Sequence, residues 1–246
     1  MLEGSHGDAD QRALRPGDLR RATVVAYYRE RPPLVTDLVE SVQSEVADAL
    51  GPAFRPRPLG DVHATVIGLE NRIPGSAVDL QGLALCLRRA WERPWEIRFG
   101  GFAPGDRSRS SRGASLYERT LGWGGRQLVL IGWPVDGAQS GNPRPDLAEL
   151  RREAETFGFR HRYHVTSEDS DHDLHMVLGE IVGEVPVAAL DDVATAVRAR
   201  LSRAPTVVPL SLDDVSLAVY ESTTLPGSTT QRLPLETLMA GRDSAC

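Results

Sequence analysis

Two short apolar segments, each headed by a histidine, constrain the fold of this chain more than any other feature. They read His63-Ala-Thr-Val-Ile and His175-Met-Val-Leu-Gly, and their β-branched and apolar residues are typical of strands. Side chains alternate between the two faces of a strand, so residues two apart point the same way. His63 is therefore predicted to project beside Thr65, and His175 beside Val177. If the two strands are neighbours, two imidazole rings face one cleft.

The same order of elements occurs in both halves of the chain. Apolar residues at three- and four-residue spacing predict four helices, marked by Leu34 to Leu50, Leu80 to Trp91, Leu147 to Phe157, and Val187 to Leu201. A histidine-headed strand lies between the helices of each half, and further strands follow. This repeat predicts a duplicated unit. We expect an α+β fold with pseudo-two-fold symmetry, in which mostly antiparallel sheets and outer helices surround a central cleft.

The domain is expected to span residues 22–240, with two interleaved lobes at roughly 22–125 and 126–240. Residues 1–21 are polar and lack an apolar signal core, so they are predicted to be a disordered leader, and 241–246 a frayed tail. The Gly-, Ser- and Arg-rich segment 103–125 is predicted to be a mobile loop.

Composition excludes several classes of function. All 28 basic residues are arginine, so no lysine is present to act as a Schiff base, phosphate-loop cation or general base. The net charge of −6 does not indicate a basic surface for nonspecific nucleic-acid binding. With Cys86 and Cys246 alone, neither a disulfide framework nor a cysteine-ligated zinc is expected. No apolar run approaches the roughly 20 residues that span a bilayer, so we expect a cytoplasmic protein with no membrane partner.

The two motifs resemble those of the 2H phosphoesterase superfamily, the LigT-like or 2′,5′ RNA ligase-like proteins, named for two His-x-Thr/Ser motifs on paired strands of a bilobal α+β fold. His63 and Thr65 match the first motif in full. His175 and the Leu-Gly pair that follows Val177 resemble the second motif, but Val177 stands where the family usually has Thr or Ser. The resemblance covers nearly the whole chain after residue 21. Further similar segments are Phe157-Gly-Phe159, residues 215–222, Leu225-Pro-Gly227 and Leu233-Pro-Leu235.

The resemblance implies a metal-independent phosphodiesterase that needs no cofactor. Its substrates would be nucleotides or RNA ends that carry a 2′,3′-cyclic phosphate or a 2′,5′-linkage, or small cyclic nucleotides. His63 and His175 would be the acid–base pair, because histidine can take or give a proton near neutrality. Thr65 would bind the phosphate and stabilise charge in the transition state. The sequence leaves open which histidine is the base.

Val177, at the phosphate-binding position of the second motif, leaves two interpretations open. Valine cannot donate a hydrogen bond, and losing one to a charged group costs about 1.5–3 kcal/mol. That corresponds to roughly a 10- to 150-fold loss of rate, which weakens an enzyme without abolishing its activity. The alternative is a nucleotide- or RNA-binding module with weakened or lost turnover. Candidates to replace the donor lie just before the second motif: Arg160, Arg162, Thr166 and Ser167.

Other residues remain candidates for substrate binding or metal binding. Candidates for substrate contact are Tyr27, Tyr117, Arg162, His164 and Thr166. His164-Val-Thr166 is itself a His-x-Thr sequence, but its polar continuation favours a turn, whereas the apolar run after His175 favours a strand. A weaker alternative is a metallohydrolase that uses the cluster of histidines and aspartates between His161 and His175.

Overall fold

A computed structural model describes residues 21–106, 108, 110, 113–136, 143–162, 164 and 171–238. The strands are β1 (Ala22–Ala26), β2 (Phe54–Pro56), β3 (Ala64–Gly68), β4 (Trp95–Phe99), β5 (Leu121–Gly124), β6 (Gln127–Val135), β7 (Leu174–Ile181), β8 (Thr206–Leu210), β9 (Val215–Tyr220) and β10 (Thr230–Leu233). The α-helices are α1 (Pro33–Leu50), α2 (Leu80–Ala90), α3 (Leu116–Thr120), α4 (Asp146–Thr156) and α5 (Val187–Arg203). The expected leader, apart from Arg21, and the expected tail lie outside the described residues.

The strands form one large antiparallel sheet, so the coarse α+β prediction is confirmed. Their order is β10-β9-β1-β3-β7-β6-β4-β8, with β2 also pairing β7 and β5 also pairing β6. The histidine-headed strands β3 and β7 are direct neighbours in the middle, where Ala64 pairs with Met176. Extending this register by one residue each way places Thr65 opposite His175 and His63 opposite Val177.

The two faces of the sheet differ in what covers them. Alternate residues of β3 and β7 enter the main hydrophobic core, namely Ala64, Val66, Leu174, Met176 and Leu178. Apart from Ala148, the buried apolar residues of α1, α2, α4 and α5 belong to the same core, so these four helices cover that face. Thr65 and His175 project from the opposite face. No helix among the described residues is long and apolar enough to cross a bilayer.

Local sequence explains where α1 begins and ends. Pro33 opens the helix, since a proline ring fits the first turn, where its missing N–H is not needed. The buried side chains recur every three or four residues, as in Val35, Leu38 and Val42. Gly51, with a φ of 55°, follows the last turn, where glycine adopts a positive φ without a steric penalty.

The prediction of a mobile loop over 103–125 is wrong for its second half. Ser115 and Glu118 form a capping box, in which each side chain bonds the other's backbone N–H, and this box starts α3. The next residues form β5, which pairs with β6 through a two-residue turn at Gly125, whose φ is 64°. The glycines that suggested a loop therefore belong to a hairpin.

Candidate active site

A cleft opens over the meeting point of β3 and β7, on the face of the sheet opposite the four helices. Its empty volume is about 800 Å³, including the open solvent at its mouth. All four motif residues line it: His63, Thr65, His175 and Val177. The lining also includes Thr23, Arg57, Glu70, Gln127, Arg162 and Tyr220. The structure thus brings together the side chains that the two sequence motifs singled out.

The ring of His63 is held in one orientation. Its Nδ1 lies 2.9 Å from the carbonyl oxygen of Asp61, and Tyr28 packs edge-on at 5.9 Å between ring centroids. A carbonyl can only accept, so Nδ1 carries a proton and Nε2 is the nitrogen left for a ligand. Burial lowers the pKa of His63 from 6.5 to about 4 despite this hydrogen bond, and the charge of Arg57 acts in the same direction.

The ring of His175 lies half-buried in the cleft between charges of both signs. Burial lowers its pKa from 6.5 to about 4, and the cationic side chain of Arg151 adds to this effect. The carboxylates of Asp171 and Asp173 oppose it by favouring the charged imidazolium. Both cleft histidines are therefore neutral at pH 7 in the absence of a ligand. A bound anion would favour protonation of one of them.

Arg151, on α4, links the two motif strands from the core side. It is fully buried, and its guanidinium donates to four backbone carbonyls, those of Val66 at 2.8 Å, Asp171 at 2.7 Å, Thr65 at 3.0 Å and Asp173 at 3.3 Å. Its positive charge lies 3.5 Å from the Asp171 carboxylate. This side chain therefore fixes β3 against the segment that leads into His175.

Sequence reasoning missed Arg151, although a signal was present. The residue falls among Leu147, Leu150 and Ala154 on the buried face of an amphipathic helix. Charged residues on such a face are almost never fully buried unless they are paired. An arginine at this position therefore indicates a buried partner, but not its identity.

Asp173 anchors the chain immediately before β7, two residues before His175. It is almost fully buried, and its two carboxylate oxygens have separate partners. Trp133 Nε1 donates to one oxygen at 2.8 Å, and Arg119 Nη2 donates to the other at 2.5 Å. Both hydrogen bonds are charge-assisted, so they hold the backbone next to His175 in one position.

Arg57 is a cleft residue that the sequence analysis did not single out. It lies in the proline-rich segment between β2 and β3, is partly buried, and lines the cleft beside His63. Its charge is one cause of the lowered pKa of His63. Nothing in the local sequence distinguishes this arginine from the neighbouring Arg55, because its position depends on how the segment docks on β7.

Glu70 and Tyr220 form a polar pair in the cleft lining. The Tyr220 hydroxyl donates to the Glu70 carboxylate. Burial and this carboxylate together raise the pKa of the Tyr220 phenol, so it stays protonated at neutral pH. The other carboxylate oxygen of Glu70 lies over Gly68, where a Cβ atom would clash with it at 2.4 Å. Glycine at this position therefore leaves room for the carboxylate.

Of the additional substrate-contact candidates, the structure places Arg162 in the cleft and Tyr27 outside it. Arg162 lines the cleft, as expected. Tyr27 does not, because it is fully buried in the main core and its hydroxyl donates to the carbonyl of Pro209 at 3.2 Å. The strand β1 ends at Ala26, and Tyr27 has a φ of 60°, so the alternation of faces stops there. Tyr28 is the tyrosine that contacts His63.

Two further candidates lie away from the cleft lining. His164 is buried and packs edge-on against His161, with 5.3 Å between ring centroids. It therefore does not take the place of His175, and its motif partner Thr166 lies outside the described residues. Tyr117 packs beside the cluster around Trp133, with the Arg198 guanidinium 5.8 Å from its ring centroid. Its position on the short helix α3 turns it to this cluster rather than to the cleft.

The histidines proposed as metal ligands do not share one site: His161 and His164 pack against each other, apart from His175. His161 is buried and accepts from the backbone N–H of Gly68 at 3.2 Å, whereas His175 faces the cleft. Within the parts of the chain that the structure describes, no group of three or more His, Cys, Asp or Glu side chains is arranged to hold a metal ion. The geometry of these residues gives the metallohydrolase alternative no support.

A second groove begins at His175 and extends away from the first motif. It is lined by His175, Val129, Ile131, Gly122 and Arg119, among others, and has an empty volume of about 750 Å³. His175 borders both spaces, so the candidate site continues on either side of this imidazole. A ligand larger than a single phosphate has room to extend in both directions.

Comparisons with known proteins leave the chain without a family assignment. No protein-family model matches it, and no curated protein matches it. A solved structure, the protein TT0787 of Thermus thermophilus, is 16% identical over 86% of this chain and 93% of that chain, with a TM-score of 0.43. The conserved protein of unknown function ATU0111 from Agrobacterium tumefaciens strain C58 is 15% identical over 80% of this chain and 78% of that chain, with a TM-score of 0.40. Likenesses this weak say nothing about the activity of this chain.

Proposed function

We propose that this chain is a metal-independent phosphodiesterase of the 2H type, which acts on nucleotide or RNA-end substrates by two-histidine acid–base catalysis. The substrates would carry a 2′,3′-cyclic phosphate or a 2′,5′-linkage, or would be small cyclic nucleotides. One observation carries the proposal: His63 and His175, far apart in sequence, line one open cleft together with Thr65. A neutral imidazole, a second imidazole that a bound anion would protonate, and a hydroxyl around one space suit proton transfer at a phosphodiester.

The order of the strands supports a duplicated, bilobal form of this fold. The sheet is symmetric about the β3–β7 pair: β1 and β6 flank it, β9 and β4 come next, and β10 and β8 are outermost. With β2 and β8 left out, the two halves share the order strand, helix, motif strand, helix, strand, as β1-α1-β3-α2-β4 and β6-α4-β7-α5-β9. The strand that ends each of these series pairs with the first strand of the other, β9 with β1 and β4 with β6. Such an exchange of strands agrees with two interleaved lobes.

The charges around the two rings favour His63 as the base and His175 as the acid. Burial is the largest effect on both. Around His63 the remaining side-chain charges are positive, including Arg57, and they favour the neutral ring that a base needs. Around His175 the cations Arg151 and Arg119 also favour the neutral ring, but the carboxylates of Asp171 and Asp173, which have no counterpart around His63, favour the protonated ring that an acid needs.

These roles give a balanced reaction for a 2′,3′-cyclic phosphate. Nε2 of His63 removes a proton from water as the water oxygen forms a bond to phosphorus. The bond from phosphorus to one ribose oxygen breaks, and His175 donates a proton to that oxygen. Thr65 donates its hydroxyl hydrogen bond to a nonbridging oxygen, where negative charge builds up. Proton exchange with solvent then restores both rings.

The proposal is tested by hydrolysis of 2′,3′-cyclic nucleotides in the presence of EDTA. The wild-type protein is expected to turn over, and His63→Ala and His175→Ala are each expected to lose about 10²- to 10⁴-fold in rate. His172→Ala is the matched control, because this histidine lies three residues from His175 but is absent from the lining of the cleft. Loss of activity in EDTA would refute the metal-independent mechanism. Unchanged rates in both alanine variants would refute the site.

A second candidate function is a nucleotide- or RNA-binding module with weakened or lost turnover. The observation that favours it is Val177, which lines the cleft and offers no hydrogen-bond donor. Titration with a labelled 2′,3′-cyclic nucleotide separates the two functions. Tight binding with no product after several hours supports the binding module, whereas rapid product formation supports the enzyme.

A further inference from the structure

The second motif lacks the hydroxyl that would bind a phosphate oxygen beside His63. Val177 lines the cleft, and the register of β3 and β7 places it opposite His63. Thr65, its counterpart in the first motif, lies opposite His175. A phosphate between the two rings therefore has a hydroxyl donor on one side and an apolar side chain on the other.

The backbone of Arg57 is fixed against β7 next to this position. Its N–H donates to the carbonyl of Leu178, the residue after Val177, at 2.8 Å. Gln43 Nε2, from α1, donates both to the carbonyl of Arg57 at 2.8 Å and to that of Leu178 at 2.7 Å. Gln43 is itself 8% exposed, so these bonds are shielded from solvent. These hydrogen bonds thus fix the position of the Arg57 Cα, from which the side chain extends.

The guanidinium of Arg57 differs from those of the arginines nearby. Among the described residues, no side chain or carbonyl accepts a hydrogen bond from it, although the negative charges of Asp61 and Glu180 are close enough to raise its pKa. Arg55 pairs with Glu180, and Arg31 donates to the carbonyl of Leu59. Arg57 therefore lines the cleft with its hydrogen-bond donors available to a ligand.

We propose that Arg57 binds the phosphate in place of the hydroxyl missing at position 177. The inference rests on the proposed function, and it specifies an anionic phosphodiester with two free nonbridging oxygens. A guanidinium presents two parallel N–H donors that match such a pair of oxygens, and these charge-assisted bonds are stronger than one from a hydroxyl. Arg57 would then supply the phosphate-oxygen donor that the second motif lacks at Val177.

A double-mutant cycle tests this exchange of donors. Arg57→Gln is expected to lower kcat/KM by about 10- to 150-fold, the loss of a hydrogen bond to a charged group. In the Arg57→Gln background, Val177→Thr is expected to raise kcat/KM at least about tenfold. The same change in the wild-type background should raise kcat/KM by less, because Arg57 already binds the phosphate there. Arg55→Gln, an exposed cation two residues away that pairs outside the cleft, should stay within about twofold of wild type.

Two outcomes would overturn the inference: Arg57→Gln as active as wild type, or no recovery with Val177→Thr. The thermal unfolding midpoint of Arg57→Gln should match that of wild type, because the change removes no hydrogen bond within the described part of the protein. Binding of inorganic phosphate, measured by calorimetry, keeps the inference separate from the proposed function. If the wild type binds phosphate but has no phosphodiesterase activity, the proposed function fails. At least tenfold weaker phosphate binding by Arg57→Gln would then still support the role of Arg57, and equal binding would refute it.

Discussion

Lowering the pH from 7 to 4 is expected to destabilise the folded protein through the two cleft histidines. In the folded state the pKa values of His63 and His175 are both about 4, whereas in the unfolded chain they return to about 6.5. Between these values the unfolded state binds more protons, so stability falls as the pH falls. A gap of about 2.5 in pKa corresponds to about 3 kcal/mol for each histidine by pH 4. Two histidines together would lower stability by about 6 kcal/mol, a large part of the total for most domains.

The assay is urea unfolding at pH 7, 5.5 and 4, followed by the fluorescence of the four tryptophans. A His63→Gln, His175→Gln double variant removes both titrations and should lose about 6 kcal/mol less stability than the wild type between pH 7 and 4. The single variants should each recover about half of this difference. If the double variant loses as much stability as the wild type over the same range, the low pKa values and their origin in burial are wrong.

Three further predictions follow from the site and the packing around it. The value of kcat/KM reports the ionisation of the free enzyme, so it should rise as the pH falls toward about 5. The value of kcat reports the enzyme–substrate complex and should peak nearer neutrality, because the bound phosphate raises the pKa of the acid. Identical pH profiles for the two constants would contradict this prediction. Arg151→Met should lower the free energy of unfolding by about 3–5 kcal/mol in urea, because it removes the cation beside the buried Asp171 carboxylate and the donor to four backbone carbonyls. The exposed Arg152→Met should change it by less than about 0.5 kcal/mol. Gly132→Ala should cost about 1–3 kcal/mol in thermal unfolding, since a Cβ would lie 2.5 Å from Phe99, whereas Gly122→Ala meets no atom within 4 Å and should cost less.

The sequence predicted those parts of the site that depend on local periodicity. Strand alternation holds along both motifs, so His63 with Thr65, and His175 with Val177, line the cleft as expected. The pattern works because one face of each strand must be apolar to meet the helices, which leaves the polar residues on the other face.

The parts of the site that the sequence did not predict depend on contacts between distant segments. Arg151 reaches from α4 to carbonyls on both sides of the cleft, and Arg57 is fixed by Gln43 from α1. Periodicity places Arg151 on the buried face of α4 but does not identify its partners, and it does not mark Arg57. Tyr27 was misplaced for a local reason, since its positive φ breaks the alternation of β1. The segment that forms α3 and β5 was misplaced because its glycines, which favour a loop, form a hairpin turn.

The most direct test of the central claim is an NMR titration of the histidine side chains with a nucleoside 3′-monophosphate. Both His63 and His175 line the cleft, so one bound phosphate should shift the imidazole signals of both and raise at least one pKa from about 4 toward neutrality. His161, buried outside the cleft lining, should not shift. A ligand that binds while the signal of either cleft histidine stays unchanged would contradict the claim that the two rings act on one phosphate.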